Sequence, residues 1–311
     1  MKPLVSVLTP CYNEEKHIGN YIEKMLNQTY DNVELVIVND GSTDNTEKII
    51  QKYKQRIEKR GFKLTYKNQK NRGVGGAIQQ ALKIMNGEFF CWCDSDNYYD
   101  DTYIEKNIKI FMNNNEVNIV RCDGLLFYEN NLKEPYHQFS KFNNDKFCKK
   151  LFLNAILEEN FHFGCAMIKT SAFDKVCKNK EIYESRKGQN WQILLPMFYY
   201  YDSYYIDENL FFYINRNGSI TNQCDSKEKM IELQNEHERI LLETIKRMGI
   251  KDSKYYERII KRKYILRRIS IAETYNDNDM LKKQKKNLKK FDNIFNRLKY
   301  FVLFPKYKKV K

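Results

Sequence analysis

Four short apolar runs, separated by three segments of helical period, occupy residues 4–93, and this alternation restricts the fold more than any other feature of the chain. The first run, residues 4–8, stops at Thr9-Pro10, after which Ile18, Tyr21, Ile22, Met25 and Leu26 recur at helical spacing. The second, residues 33–38, ends at Asn39-Asp40-Gly41-Ser42; a helix over 46–59 follows, with Gly61 as its expected stop. The third run spans 62–66, the third helix 75–85 and the fourth run 89–93, whose aromatic and small apolar residues are too few for a helix. Short strands alternating with helices predict a mostly parallel sheet flanked by helices on both faces.

From about residue 117 the alternation loosens. Strand-like runs over 117–121, 125–128, 165–168 and 204–206 predict a mixed sheet that completes the same core. Aromatics crowd this half, in Tyr199-Tyr200-Tyr201, Tyr204-Tyr205 and Phe211-Phe212-Tyr213. Covering the edge of the core and stacking on a sugar are both open to them. After Asp225 the pattern turns helical: Met230, Leu233, His237, Ile240, Leu241, Ile245 and Met248 make one stripe closed by Gly249, and Tyr256, Ile259, Ile260, Tyr264 and Ile271 a second. A large α/β domain over residues 1–225 with a helical C-terminal extension over 226–311 is the organisation expected for 311 residues.

Charge divides at the same place. Residues 1–225 carry 29 Lys/Arg and 29 Asp/Glu, whereas residues 226–311 carry 25 and 11, which is the whole net charge of +14. In the tail, Leu281, Leu288, Phe291, Phe295, Leu298 and Val302 step by about one helical turn or a small multiple of it among lysines. Such a basic amphipathic helix over residues 280–311 suits an anionic membrane surface, or else packs its stripe on the rest of the protein. Nucleic acid is not expected as a partner, because arginines and aromatics are not interleaved as on a reading surface. The eight cysteines form no C-x-x-C pair, and Cys11, Cys91, Cys93 and Cys165 sit in apolar or strand-like contexts, as reduced thiols do. No apolar stretch reaches membrane-spanning length, so a cytoplasmic protein is expected, peripheral to the inner face of the membrane if the tail binds there.

The chemistry centres on Asp94-Ser95-Asp96, where the fourth run ends. Two carboxylates at the C-terminal edge of a parallel strand lie where open α/β sheets bind ligands. They repel unless a cation or donors neutralise them, and hard oxygen ligands suit Mg²⁺ or Mn²⁺ bridging to a substrate phosphate. Alone, the tripeptide reads more readily as an acidic turn before a helix. Three further motifs end the other runs in order: Thr9-Pro10-Cys11-Tyr12-Asn13-Glu14, Asn39-Asp40-Gly41-Ser42-Thr43-Asp44, and Asn71-Arg72-Gly73-Val74-Gly75-Gly76. Asp40, ending a strand, can accept hydrogen bonds from a nucleobase or ribose, and the glycines allow close backbone approach before a helix.

In this order the motifs resemble those of the family 2 glycosyltransferases of bacterial surface-polysaccharide type, closely over residues 4–110 and more weakly to about 222. The resemblance implies a GT-A (nucleotide-diphospho-sugar transferase) fold, with a nucleotide-binding half over about 1–115 and an acceptor half over about 116–225. It further implies that Asp40 contacts the base, that Pro10 and Tyr12 wall its pocket, and that Glu14, Gly73, Asp94 and Arg216 belong to the nucleotide-sugar site. Asp96, with Asp94, would hold Mn²⁺ or Mg²⁺ against the diphosphate, and Arg216 or Ser219 would touch it. The expected activity is transfer of a hexose or N-acetylhexosamine from a nucleotide donor, with UDP the expected nucleotide. The acceptor would be a cell-surface glycan or a lipid-linked acceptor, and inversion the outcome.

One position departs from that family. Where an adjacent acidic pair usually opens a helix and supplies the general base, this chain has Gly188-Gln189-Asn190-Trp191-Gln192. An amide takes no proton near neutral pH. Gln189 and Asn190 are then left to orient an acceptor hydroxyl, with His162, Glu184 or Asp123 as candidates for the base. The same departure leaves a catalytically silent nucleotide- or glycan-binding module as an alternative. A sugar nucleotidyltransferase is the other, though the first motif lacks the Gly- and Arg/Lys-rich phosphate loop of such enzymes.

Overall fold

The computed structural model describes residues 2–140, 147–148, 150–158, 165–216 and 226–292. The chain divides into two compact units, Met1–Ser219 and Ile220–Lys311. His162 and Ser219, and the tail beyond residue 292, lie outside the described residues.

The first unit opens with the expected alternation. Strand β1 (Val5–Cys11) leads to helix α1 (Ile18–Leu26), β2 (Val33–Asn39) to α2 (Thr46–Lys59), and β3 (Lys63–Asn68) to α3 (Gly73–Ile84) and β4 (Phe89–Trp92). A two-residue strand β5 (Tyr98–Tyr99), helix α4 (Tyr103–Asn113), and strands β6 (Ile119–Tyr128) and β7 (His137–Gln138) follow. Then come α5 (Phe152–Leu157), β8 (Ala166–Lys169), α6 (Thr170–Val176), α7 (Gln189–Tyr200) and β9 (Tyr204–Asn215). The strands form one sheet in the order β3-β2-β1-β4-β8-β6-β9-β5, with β7 on β6. The β3-β2-β1-β4 half is parallel; β8 enters antiparallel to both β4 and β6, and β6 pairs parallel with β9, so the second half is mixed.

Alternate strand residues face opposite layers. Val5, Val7, Leu35, Ile37, Phe89 and Cys91 join one buried cluster with Tyr21, Ile22, Ile50, Tyr103 and Phe111 of α1, α2 and α4. On the other face Phe90 meets Phe173 of α6 edge-on at 5.2 Å, and α3 covers β1 and β2.

Strands β6 and β9 are longer than the sequence pattern suggests. Residues 119–121 and 125–128 belong to one strand, because Cys122-Asp123-Gly124, which reads as a break, continues β6 opposite a bulge in β9. Asp123 is buried there and accepts from Gly124 N at 2.8 Å, Gln138 Nε2 at 2.7 Å and Ser140. A Cβ on Gly124 would stand 2.5 Å from Phe211 O, so the position tolerates only glycine.

The second unit holds α8 (Lys227–Met248), α9 (Ser253–Thr274) and α10 (Asn278–Phe291). Helix α8 is capped by Ser226, whose Oγ accepts from Lys229 N at 3.3 Å, and ends at Gly249 with φ +60°. Ile240, Leu241 and Ile245 of α8, and Ile259, Ile260 and Tyr264 of α9, are the buried residues the two sequence stripes predict. None of the helices among the described residues is long and apolar enough to cross a membrane.

A buried carboxylate ties the parallel strands together at the edge away from their C-terminal ends. Glu34 of β2 accepts from Ser6 Oγ of β1 at 2.6 Å, Thr65 Oγ1 of β3 at 2.7 Å, and Asn86 N and Nδ2 at 2.8 Å, with Lys63 Nζ at 2.9 Å. Burial alone would raise its pKa, but these bonds outweigh burial and hold it down, from the ordinary 4.5 to about 2. A depression of that size stabilises the fold by about 3 kcal/mol. Because the folded pKa is the lower one, this contribution is complete above about pH 4.5 and is lost as pH falls toward 2. Urea unfolding should show Glu34→Gln less stable than the parent by about 2–4 kcal/mol at pH 6. The gap between the two proteins should narrow between pH 4.5 and pH 3.

Candidate active site

The C-terminal ends of the parallel strands share one edge, and the four sequence motifs meet there. Pro10 shows how β1 delivers its loop. Leu8 O accepts from Cys93 N on the β4 side at 3.0 Å, and Cys11 O accepts from Asp40 N on the β2 side at 2.9 Å. Backbone groups alternate sides along a strand, so the N–H that Pro10 lacks would point past the end of β4, where no ladder bond is lost. Beyond Cys11 the chain turns with Asn13 at φ +54° and exposes Tyr12. Asn13 Oδ1 accepts from Thr43 N at 2.8 Å, Asn13 N donates to Ser42 Oγ at 2.9 Å, and Glu14 N donates to Thr46 Oγ1 at 2.8 Å. The loops after β1 and β2 therefore form one rim, with the Tyr12 ring on it.

Asp40 lies buried behind this rim. Its Oδ1 accepts from Gln69 Nε2 at 2.7 Å and Arg72 N at 2.9 Å, and no hydrogen bond from the described residues reaches Oδ2. Gln69 Oε1 and Asn71 Oδ1 nearby are also buried acceptors without a partner among the described residues. A pocket edge with spare acceptors calls for a ligand that brings N–H or O–H donors.

Beside it, Glu14, Asp94 and Asp96 share a single arginine. Arg216, which follows β9, donates from Nε to Asp96 Oδ2 at 2.6 Å and from its terminal nitrogens to both oxygens of Glu14 at 3.1 and 2.7 Å. Asp96 Oδ1 is buried and has no hydrogen-bond partner among the described residues. Burial, then the charges of Asp96 and Glu14, push the Asp94 carboxyl up, and Arg216 offsets only part of this. Glu14 is likewise raised, chiefly by burial. Three carboxylates against one guanidinium leave negative charge that a bound cation would neutralise, and the oxygen donors suit a hard divalent ion. Among the described residues no group of three or more His, Cys, Asp or Glu is arranged to enclose a metal. Asp94 and Asp96 would hold such an ion with its other positions left to water or ligand, as Mg²⁺ sites commonly are.

Helix α7 brings in the amides. Gly188, at φ +69°, precedes Gln189, and Asn190 Oδ1 accepts from Trp92 Nε1 at 2.6 Å, at the end of β4 and two residues before Asp94. An indole N–H only donates, so the Asn190 carbonyl faces Trp92, and its Nδ2 donates to none of the described residues. Position 190 thus offers a hydrogen-bond donor to the site. Gln189 is buried.

Two of the candidate bases are occupied. Glu184 pairs with Arg72 through Nε at 3.0 Å and through its terminal nitrogen, which lowers its pKa. Asp123 spends both oxygens on Gln138, Ser140 and Gly124. The glycines of α3 meet the chain itself: Gly75 N donates to Ser185 O at 2.9 Å, and a Cβ on Gly73 would stand 3.0 Å from the same oxygen. Trp92 and Gln69 escaped the sequence reading. Trp92 reads only as a buried apolar residue, and Gln69 reaches Asp40 through a long-range pairing that leaves no local trace.

Known proteins resemble this chain in sequence and in fold. The sequence profile of glycosyl transferase family 2 matches residues 6–177. An uncharacterized glycosyltransferase of Rickettsia typhi is 32% identical over 195 residues, 58% of this chain and 57% of that protein. The putative glycosyltransferase EpsH of Bacillus subtilis is 31% identical over 156 residues, 50% of this chain and 43% of its own length. The aligned region therefore spans about half the length of these relatives. Among solved structures, S. aureus TarS 1-349 in complex with UDP-GlcNAc superposes with TM-score 0.55 at 18% identity, covering 94% of this chain and 93% of that one. The mannosyltransferase PcManGT of Pyrobaculum calidifontis, in complex with GDP-Man and Mn²⁺, gives 0.53 at 14% identity over 98% and 88%. At such identities these two show the fold, which is GT-A. By its sequence match and its motifs, the chain belongs to glycosyl transferase family 2.

Proposed function

We propose that the first unit transfers a sugar from a nucleoside-diphosphate donor, with UDP as the nucleotide, to a hydroxyl of a cell-surface or lipid-linked glycan. The observation that carries this reading is the buried Asp96 oxygen, without a partner among the described residues, in a cluster with excess carboxylate, with only β1 between its strand and that of the half-satisfied Asp40. A putative teichuronic acid biosynthesis glycosyltransferase of Bacillus subtilis, 35% identical over 111 residues, supports a polysaccharide acceptor. The neighbour holding UDP-GlcNAc supports a UDP donor, and the one holding Mn²⁺ supports a divalent ion.

In this reading Asp40 Oδ2 accepts the single N–H of uracil, since Oδ1 already takes two donors, and Tyr12 packs on the ring. A divalent ion, Mn²⁺ or Mg²⁺, at Asp94 and Asp96 supplies Lewis-acid neutralisation of the departing diphosphate. Arg216 holds Glu14 and Asp96 in place and stands within reach of the same anion. The acceptor oxygen forms the new bond at the anomeric carbon as the bond to the diphosphate breaks, with inversion, and the proton of the acceptor hydroxyl leaves to solvent. Asn190 donates from Nδ2 to a substrate oxygen and fixes its direction of approach; it takes no proton.

The pocket chemistry gives a specificity test. In Asp40→Asn, Oδ1 keeps Gln69 and Arg72 while an N–H₂ replaces Oδ2, so a uracil N–H meets a donor and the unprotonated ring nitrogen of cytosine gains one. Calorimetry should show UDP binding weakened about 10- to 100-fold and CDP binding strengthened; unchanged preference would remove Asp40 from the base pocket. UDP release from UDP-sugars with Mn²⁺ should fall by about 100-fold or more in Asp96→Ala, and normal release would sink its proposed role. Asn190→Asp places a carboxylate oxygen where Nδ2 stood, with Trp92 still holding the other. Transfer should then rise by about tenfold near pH 8 and decline below pH ~5 as the new acid protonates. The lack of a carboxylate at 190 also favours a second reading, a nucleotide- or glycan-binding module. Tight UDP and Mn²⁺ binding, with no turnover by the parent or by Asn190→Asp on any donor and acceptor pool, would establish it.

A further inference from the structure

We infer that the outer face of α10 docks on an anionic lipid bilayer by charge alone, without inserting apolar side chains. The 14 residues of this helix carry Lys282, Lys283, Lys285, Lys286, Lys289 and Lys290, against one acidic residue, Asp279. All six lysines are exposed. Lys285 approaches Glu273 at 3.7 Å; the other five form no ion pair with the described residues. At about 100° per residue the six fall on one side of the helix.

The opposite side is already used. Gln284 is buried, Leu281, Leu288 and Phe291 are part-buried, and α10 packs along α9. Both ends of α10 are fastened: Asp277 caps the first turn by accepting from Met280 N at 2.9 Å and pairs with Lys227 at 3.0 Å, and Asp292 binds Arg262 at 2.9 Å. The apolar stripe that the sequence offers for insertion is therefore committed, as far as Phe291, to the helical unit itself. What remains free is a row of ammonium groups on a rigid support.

Such a surface fits a lipid headgroup plane better than a nucleic acid. Lysine ammoniums are compact point charges that suit a diffuse field of anions. Base and phosphate reading instead draws on arginine forks and stacked aromatics, and this face has neither. Each basic residue near an anionic membrane strengthens binding by about fivefold, and the attraction fades within about 10 Å at 0.1 M salt. Docking is independent of what the first unit catalyses.

Flotation of the full chain with liposomes tests this. Binding is expected to vesicles containing about 30% phosphatidylglycerol and not to pure phosphatidylcholine, and about 0.5 M NaCl should release it completely. Replacing Lys282, Lys283, Lys286, Lys289 and Lys290 by glutamine should lower binding by at least about 100-fold with an unchanged melting temperature. Neutralising Lys246, Arg247 and Lys251 instead should leave most of it. The proposal is overturned if the five-lysine variant still floats, if neutral vesicles bind equally, or if binding survives high salt, which would mean insertion. Tighter binding to duplex RNA or DNA than to the anionic vesicles would overturn it as well.

Discussion

Parallel strands cannot be joined by tight turns, and the rest of this structure follows from that constraint. Each of β1, β2 and β3 must return through a helix before the next strand begins, so all the C-terminal ends open on one edge. The loops leaving that edge carry Tyr12 to Glu14, Asp40, Gln69 to Gly73, and Asp94 to Asp96. Glu34 secures the strands from within, leaving their C-terminal ends free for binding. Stability and chemistry are thus assigned to different ends of the same strands, and a carboxylate serves each: one saturated with donors, the others short of them.

The legible part of the fold is the part governed by local periodicity. Helix α2 falls where the apolar spacing of Ile49, Ile50, Tyr53 and Ile57 puts it, and β1, β2 and β4 where short runs end at Pro10, Asp40 and Asp94. Legibility fails where long-range pairing overrides local preference. Asp123-Gly124 looks like a loop and is strand opposite a bulge in β9, because Gln138 of β7 and Ser140 just after it satisfy the carboxylate. Two-residue strands such as Tyr98–Tyr99 carry no pattern at all. The candidate site divides the same way: its carboxylates mark the ends of strands, whereas Trp92 and Gln69 gain their roles only when the sheet brings Asn190 and Asp40 beside them.

Electrostatically the candidate site and the helical unit are opposites. The site concentrates carboxylates around one guanidinium, and Arg216 is stretched between Asp96 and Glu14. In the helical unit the balance reverses, with positive charge in excess and acids such as Glu238, Asp277 and Asp292 spent on internal ion pairs. One chain therefore carries a surplus of each sign, each placed where a ligand of the other sign completes it.

The contact between Gly75 and Ser185 has a consequence for variation in this chain. Because the space above α3 is filled by the backbone at Ser185 and Arg186, the side chains allowed at positions 73 and 75 are set by the protein's own fold. Arg72 gives its backbone N–H to Asp40 and its guanidinium to Glu184, so one residue fastens the Asp40 edge to the segment that leads into α7. Drift at these glycines would change how the two halves of the unit are seamed together before it changed what either half binds. A designer seeking to alter the pocket beside Asp40 should vary Gln69 and Asn71 and leave the glycines alone.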